Sequence, residues 1–152
     1  MDYFSLKSGT DIRGVASEGV PSEPINLTDE VIHDLARGFL CWCKNHLDIK
    51  DDTLTIAVGH DSRISAGRIS AAITETFTEY GCKVLDCGLA STPSMFMAVI
   101  DIPCDCSVQI TASHHPFHRN GLKFFCKTGG LESTDISEIL EHASGDAQPF
   151  EK

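Results

Sequence analysis

From residue 28 onward, the apolar residues of this 152-residue chain switch repeatedly between a spacing near four and a spacing of two. That switching limits the possible folds more than any other feature, because the first spacing suits one face of a helix and the second one face of a strand. Over 28–47, Val31, Leu35, Phe39 and Cys43 recur every four residues, with Ile32, Ala36 and Leu40 beside them. Thr28 is placed to cap this helix, Asp29 and Glu30 suit the positive end of its dipole, and Leu27 is placed to staple against Ile32. In "TLTIAVGHD", Leu54, Ile56 and Val58 alternate with Thr53, Thr55 and Ala57, predicting a strand that ends at Gly59. A second helix follows over about 65–80 on Ile69, Ile73, Phe77 and Tyr80, stopped by Gly81.

The remainder continues the alternation. "CKVLDCG" reads as a short strand, "TPSMFMAVI" as a short helix with Pro93 in its first turn, and "SVQIT" and "GLKFFC" as neighbouring strands. "STDISEILEHA" closes the series with an acid-rich helix start after Ser133. The prediction is an α/β fold: a three-layer α/β/α domain around a mixed, mostly parallel sheet of about four strands. Only a loop joins the last two strands, so the final one is expected to run antiparallel. The domain is expected to occupy 1–143, with 144–152, "SGDAQPFEK", as the start of a linker.

Hydrophobic residues make up 41% and charged residues 22%, which suits a globular domain with a real core. No apolar stretch reaches the roughly 18–20 residues that would cross a bilayer, and "MDYFSLKSGTDIRG" lacks the pattern of a secretory signal. A cytoplasmic location is therefore expected. The net charge of −10 argues against nucleic acid and anionic membranes as partners, although not against a small anion held by a few local cations. Seven cysteines, including the pairs 41/43 and 104/106, lack CxxC-type zinc spacing; they are expected to be reduced thiols packed as small hydrophobes.

In open α/β sheets, ligands collect beyond the carboxyl ends of the strands, so the loops after Val58 and Thr111 are the places to look. The second reads "TASHHPFHRNGLK". Ser113 directly follows a strand, His114 adjoins it, and Asn120-Gly121 suits a turn that would fold Lys123 back toward the serine. A serine needs a base, or must already carry the group to be transferred; a phosphate on Ser113 would be held by Lys123 and nearby N–H groups. The competing readings are a solvated polar loop, an esterase nucleophile and a metal site on His114, His115 and His118. The esterase lacks its G-x-S-x-G elbow, and the histidines lack ligand spacing.

"TASHHPFHRNGLK" resembles the active-site loop of the α-D-phosphohexomutases, the phosphoglucomutase and phosphomannomutase superfamily, whose pattern is T-[AG]-S-H-N-P followed by N-G and a lysine. "GTDIRG" at 9–14 resembles the family's N-terminal arginine segment, and "VGHDSRISAG" at 58–67 its G-x-D-x-R turn. Three ordered motifs cover the chain from about residue 9 to 140. Two positions depart from the pattern: His115 stands where the family has Asn, and His60 where it frequently has Arg.

The resemblance implies that Ser113 is a phosphoryl carrier and that an oxygen of its phosphate is a Mg²⁺ ligand. It further implies that Lys123 and His114 move protons and orient the group, and that Arg13 lies close to the reacting phosphorus. Thr10, Asp61, Arg63, Arg119 and Asn120 are the candidates for phosphate binding or loop bracing, with bracing preferred for Asp61 and Arg63. Gly9, Gly14 and Gly59 are expected to form turns. The implied reaction interconverts hexose 1-phosphate and hexose 6-phosphate through a 1,6-bisphosphate, with glucose 1,6-bisphosphate or a similar compound as activator.

The family builds its cleft from four domains, and the match is to the first. The D-G-D-x-D-R metal loop and the sugar-recognition and phosphate-binding loops belong to domains II–IV, expected partners of this chain. Alone it is expected to lack mutase turnover and to expose an apolar face that invites self-association. "TASH" and the aromatic strand ending lean toward the glucose/mannose branch. The alternative is a non-catalytic module on the same fold that binds sugar phosphate or protein, with His115 as its support.

Overall fold

The computed structural model describes residues 1–49 and 53–150. The last two residues of the expected linker, 151–152, lie outside the described residues. After a short 3₁₀ turn, Tyr3–Leu6, the chain runs β1 Lys7–Ser8, β2 Asp11–Val15, α1 Asp29–His46, β3 Thr55–His60, α2 Ala66–Glu79 and β4 Lys83–Leu89. It continues α3 Thr92–Asp101, β5 Cys106–Ile110, β6 Arg119–Cys126, β7 Gly129–Gly130 and α4 Ser133–Ser144.

The three-layer α/β/α arrangement holds, but the sheet has seven strands rather than about four. Their order is β1-β2-β6-β5-β3-β4, with β7 also paired to β6. Only β3/β4 and β3/β5 are parallel; the β1/β2, β2/β6, β5/β6 and β6/β7 pairs are antiparallel. The extra width comes from the N-terminal segment. "GTDIRG" folds back on Lys7–Ser8 as a hairpin and adds β2 to the free edge of β6, in the register Ile12↔Leu122 and Arg13↔Gly121.

Strand alternation divides the interior in two. Ile56 and Val58 of β3, Val108 and Ile110 of β5, and Leu122 and Phe124 of β6 face the larger core, beneath α1, α2 and α4. Phe39 of α1 stacks on Phe124 at 4.5 Å between ring centroids. Ala57 and Phe125 face the other way, against Met95, Ala98 and Val99 of α3. Among the described residues a single helix covers that side, and Phe96, Met97 and Ile100 on its outer face stay exposed.

Local signals set the helix ends as expected. Thr28 accepts from the Val31 amide at 3.2 Å, and Ser91 and Ser94 form a reciprocal capping box that spans Pro93. Gly38 lets α1 and α4 cross closely, since a Cβ there would stand 2.5 Å from the Ile139 carbonyl. Residues 145–150, expected as linker, instead lie against the domain. The Arg37 guanidinium donates to the carbonyls of His142, Ala143, Gly145 and Ala147 at 2.6–3.2 Å. Six cysteines are buried and Cys87 is half-buried; none is in a disulfide. Cys104 and Cys106 point into opposite cores.

Candidate active site

The carboxyl ends of β3 and β5 adjoin, and the loops leaving them meet. Ser113 is the one non-glycine residue with positive φ among the described residues, at 57°. An L-residue pays about 1–2 kcal/mol for that region, so the loop must be held there by its surroundings. Its holding contacts are explicit. The Ser113 amide donates to Thr111 Oγ1 at 3.0 Å, whose hydroxyl donates to Asp61 Oδ2 at 2.7 Å, and the His115 amide donates to the Ala112 carbonyl at 3.0 Å.

Arg63 completes the brace. Its Nη1 donates to the carbonyls of Pro116 and Arg119 at 2.7 and 3.1 Å, and its Nη2 to those of Ser113 and His115 at 2.7 and 2.8 Å. Asp61 Oδ2 lies 3.5 Å from Nε of the same guanidinium. One planar fork thus fixes four loop carbonyls, an arrangement a lysine ammonium cannot reproduce. The result leaves Ser113 exposed, its Oγ 3.4 Å from His114 Nδ1, with His114 also exposed. His60 turns Nδ1 onto the Asp61 carbonyl at 2.8 Å.

Two cations stand on the α3-facing side of the sheet: Arg13 touches this loop through His115, and Lys123 is joined to Arg13 through Asp11. Arg13 Nη2 donates to Asp11 Oδ2 at 2.7 Å, and Lys123 Nζ donates to Asp11 Oδ1 at 2.8 Å. Arg13 Nη1 meets His115 Nε2 at 2.6 Å. Partial burial, reinforced by Arg13, Arg119, His114 and Arg63, holds the His115 ring below the ordinary histidine pKa range. Asp11, 5% exposed, was not singled out in the sequence. Its signal was there: in "GTDIRG", Asp11 and Arg13 are two apart and share a strand face.

Other candidates fall elsewhere. Asn120-Gly121 is no turn: both residues lie inside β6, and neither has positive φ. Glycine is required at 121 for close approach, since a Cβ there would stand 2.3 Å from the Ile12 carbonyl. Lys123 therefore does not fold back around a bend; it meets Asp11 across the β2–β6 pairing. Asn120 is buried, donating to Ser65 Oγ at 2.8 Å. Gly14 and Gly59, expected as turn formers, are likewise strand residues that crowded neighbours keep small, whereas Gly9 turns the β1–β2 hairpin at φ 64°. Thr10 is exposed on that hairpin turn. Arg119 turns away, donating to Glu23 Oε1 at 3.3 Å, and buried His118 faces the same carboxylate at 3.3 Å.

For a metal, the chain offers little by itself. Among the described residues, no group of three or more His, Cys, Asp or Glu side chains could hold an ion. Asp61 is committed to Thr111 and Arg63, and Asp11 to two cations. The exposed Ser113 hydroxyl, and whatever it carries, is a donor left uncommitted at the loop tip. No helix among the described residues is long and apolar enough to cross a membrane.

Fold and site together define an α/β/α domain that presents a serine on a braced loop beside two tethered cations. The chain belongs to the phosphoglucomutase/phosphomannomutase family: the profile described as "Phosphoglucomutase/phosphomannomutase, alpha/beta/alpha domain I" matches residues 6–149. A phosphoglucosamine mutase of Leuconostoc mesenteroides is 35% identical over 144 residues, covering 93% of this chain and 29% of that protein. A phosphoglucosamine mutase of Campylobacter jejuni is 38% identical over 94 residues, covering 60% of this chain and 21% of that protein. In three dimensions the chain is similar to a phosphoglucomutase/phosphomannomutase family protein of Burkholderia thailandensis, with a TM-score of 0.75 at 22% identity, over 92% of this chain and 30% of that one. The chain thus spans about a third or less of the length of these relatives.

Proposed function

We propose that this chain is the first domain of a phosphohexomutase, in which Ser113 carries the phosphoryl group exchanged between hexose 1-phosphate and hexose 6-phosphate by way of a 1,6-bisphosphate. The observation that carries this reading is the left-handed backbone at Ser113, held by the Arg63 brace with the side chain exposed. A merely solvated loop has no use for such a conformation. A serine that must meet a bulky anion has.

In the transfer, the Oγ–phosphorus bond of phosphorylated Ser113 breaks as a sugar hydroxyl oxygen bonds to phosphorus. The hydroxyl proton leaves through Lys123 or His114 and is returned to Ser113 Oγ. Charge on the equatorial oxygens is offset by fixed cations, the role assigned to Arg13 and Lys123. Mg²⁺ would bind an oxygen of the Ser113 phosphate and polarise the group, its other ligands lying outside this chain. Thr10 and Arg119 would contribute at most to the rim, while Asp61, Arg63 and Asn120 hold the framework.

The relatives named phosphoglucosamine mutase favour a hexosamine phosphate as substrate, over the glucose/mannose branch toward which the loop sequence leans. Domains II–IV would supply sugar recognition and cover the exposed outer face of α3, so the chain alone would lack turnover and tend to self-associate. The test is incubation with the 1,6-bisphosphates of glucosamine, glucose and mannose, domains II–IV of the Leuconostoc relative being added in trans. Peptide mass mapping should then find one phosphoryl group on Ser113, absent in Ser113→Ala. No phosphate on Ser113 under these conditions contradicts the reading.

A further inference from the structure

We infer that His115 is a positioning residue for Arg13, its Nε2 serving as the acceptor that fixes the outer end of the guanidinium. The inference deepens the phosphotransfer reading, on which it rests for the purpose of the positioned cation. The geometry itself stands independently.

Arginine can only donate, so the 2.6 Å contact between Arg13 Nη1 and His115 Nε2 requires Nε2 to accept, with the ring proton on Nδ1. At the other end, Nη2 donates to Asp11 Oδ2 at 2.7 Å. Two acceptors on different nitrogens define both the position and the plane of the fork. Arg13 Nε is buried without a hydrogen-bond partner, so no third hydrogen bond shares in setting that plane. The stem of Arg13 lies over Gly121, where a Cβ would stand 2.9 Å from Arg13 Cγ. With the stem confined by β6, the two acceptors decide where the charge sits.

His115 is itself held in place. Its amide donates to Ala112 at 3.0 Å, its carbonyl accepts from Arg63 Nη2 at 2.8 Å, and its ring leans on His114 with centroids 5.6 Å apart. Arg63 therefore fixes the loop that carries Ser113 and the residue that orients Arg13 in one contact set. An asparagine at 115 would present its amide oxygen closer to the backbone than Nε2 lies. Histidine here is thus fitted to the reach of this arginine, and the departure from the family pattern serves the site rather than marking its loss.

The experiment compares native chain, His115→Gln and His115→Phe. Gln restores an acceptor at similar reach, while Phe keeps the ring shape and removes the acceptor. Two readouts are taken: the rate at which phenylglyoxal modifies Arg13, mapped by mass spectrometry, and the rate of Ser113 phosphorylation by hexose 1,6-bisphosphate with domains II–IV in trans. His115→Phe should raise Arg13 modification several-fold and slow phosphorylation by at least about tenfold, the scale of one hydrogen bond to a charged group. His115→Gln should restore most of both, with unchanged thermal midpoints. Equal Arg13 modification in His115→Phe and native chain overturns the inference, as does failure of His115→Gln to restore it. Should native Ser113 take up no phosphate, the phosphotransfer reading fails, and the Arg13 modification rates still decide the positioning.

Discussion

Asp11 and Lys123, 112 residues apart in the chain, meet at 2.8 Å where β2 lies beside β6. The same carboxylate binds Arg13 through its other oxygen at 2.7 Å. One buried anion thus sets two cations side by side next to the Ser113 loop, and most of the site's behaviour follows from that arrangement.

Removing the anion should harm both fold and site. Asp11→Asn leaves Arg13 and Lys123 repelling each other over a single neutral acceptor, the carboxamide nitrogen being a donor that serves neither cation. A loss of about 1.5–3 kcal/mol in urea unfolding is expected, the range for a hydrogen bond to a charged group. Lys123→Met should lose less, because Lys123 is the more exposed partner. Equal stability of Asp11→Asn and native chain would show that the carboxylate is not structural.

The brace predicts a different signature. Arg63→Lys keeps the charge but cannot serve four carbonyls at once. Hydrogen exchange should accelerate at the amides of Ser113 and His115 while β3 and β5 amides keep their protection. Uniform loss of protection across the sheet would mean that Arg63 supports the whole domain rather than the loop.

Ser113 itself can be separated into backbone and hydroxyl. Ser113→Gly removes both the hydroxyl and the left-handed penalty of about 1–2 kcal/mol, so it should be at least as stable as the native chain. Ser113→Ala keeps the penalty and should gain nothing. If Gly and Ala behave alike in urea unfolding, the loop does not hold the strained conformation in solution.

Alkaline pH should destabilise the chain through its thiols. Burial pushes the Cys104 thiol up to about 11 and the Cys82 thiol up to about 12, from an ordinary value near 9. Above that ordinary value the unfolded chain loses protons that the folded chain retains, so stability is full below it and falls as pH rises toward the folded values. Tyr3, raised first by burial and then by its hydrogen bond to Asp34, acts in the same direction at higher pH. Urea midpoints at pH 8 and pH 10 check the sign, and native-state alkylation should label half-buried Cys87 first.

The elements legible in the sequence are those whose signal is local. Helix α1 announced itself by its fourfold spacing and Thr28, α2 by Ile69, Ile73 and Phe77, and β3 by its alternation. The N-terminal hairpin was not legible, because β2 places Asp11 and Arg13 beside Val15 on its α3-facing side and offers only Ile12 and Gly14 to the larger core, so no apolar alternation remains. Asn120-Gly121 misled for a related reason. The pair carries turn chemistry, yet the glycine answers to the backbone of β2, where its paired residue Arg13 is 108 residues away in sequence. The motifs pointed to Ser113, Arg13 and Lys123, and Asp11 stood beside Arg13 in "GTDIRG", but the link from Asp11 to Lys123 became visible only once the strands were paired.

Fixed positive charge at the Ser113 loop should stabilise a phosphate attached to that serine, and ³¹P NMR of the phosphorylated chain reads this most directly. A free phosphoserine titrates near pH 6. In this site the signal should titrate below that value, because Arg13 and Lys123 favour the dianion, and Lys123→Met should move it back up. A signal that titrates like free phosphoserine in both the native chain and Lys123→Met would contradict the account.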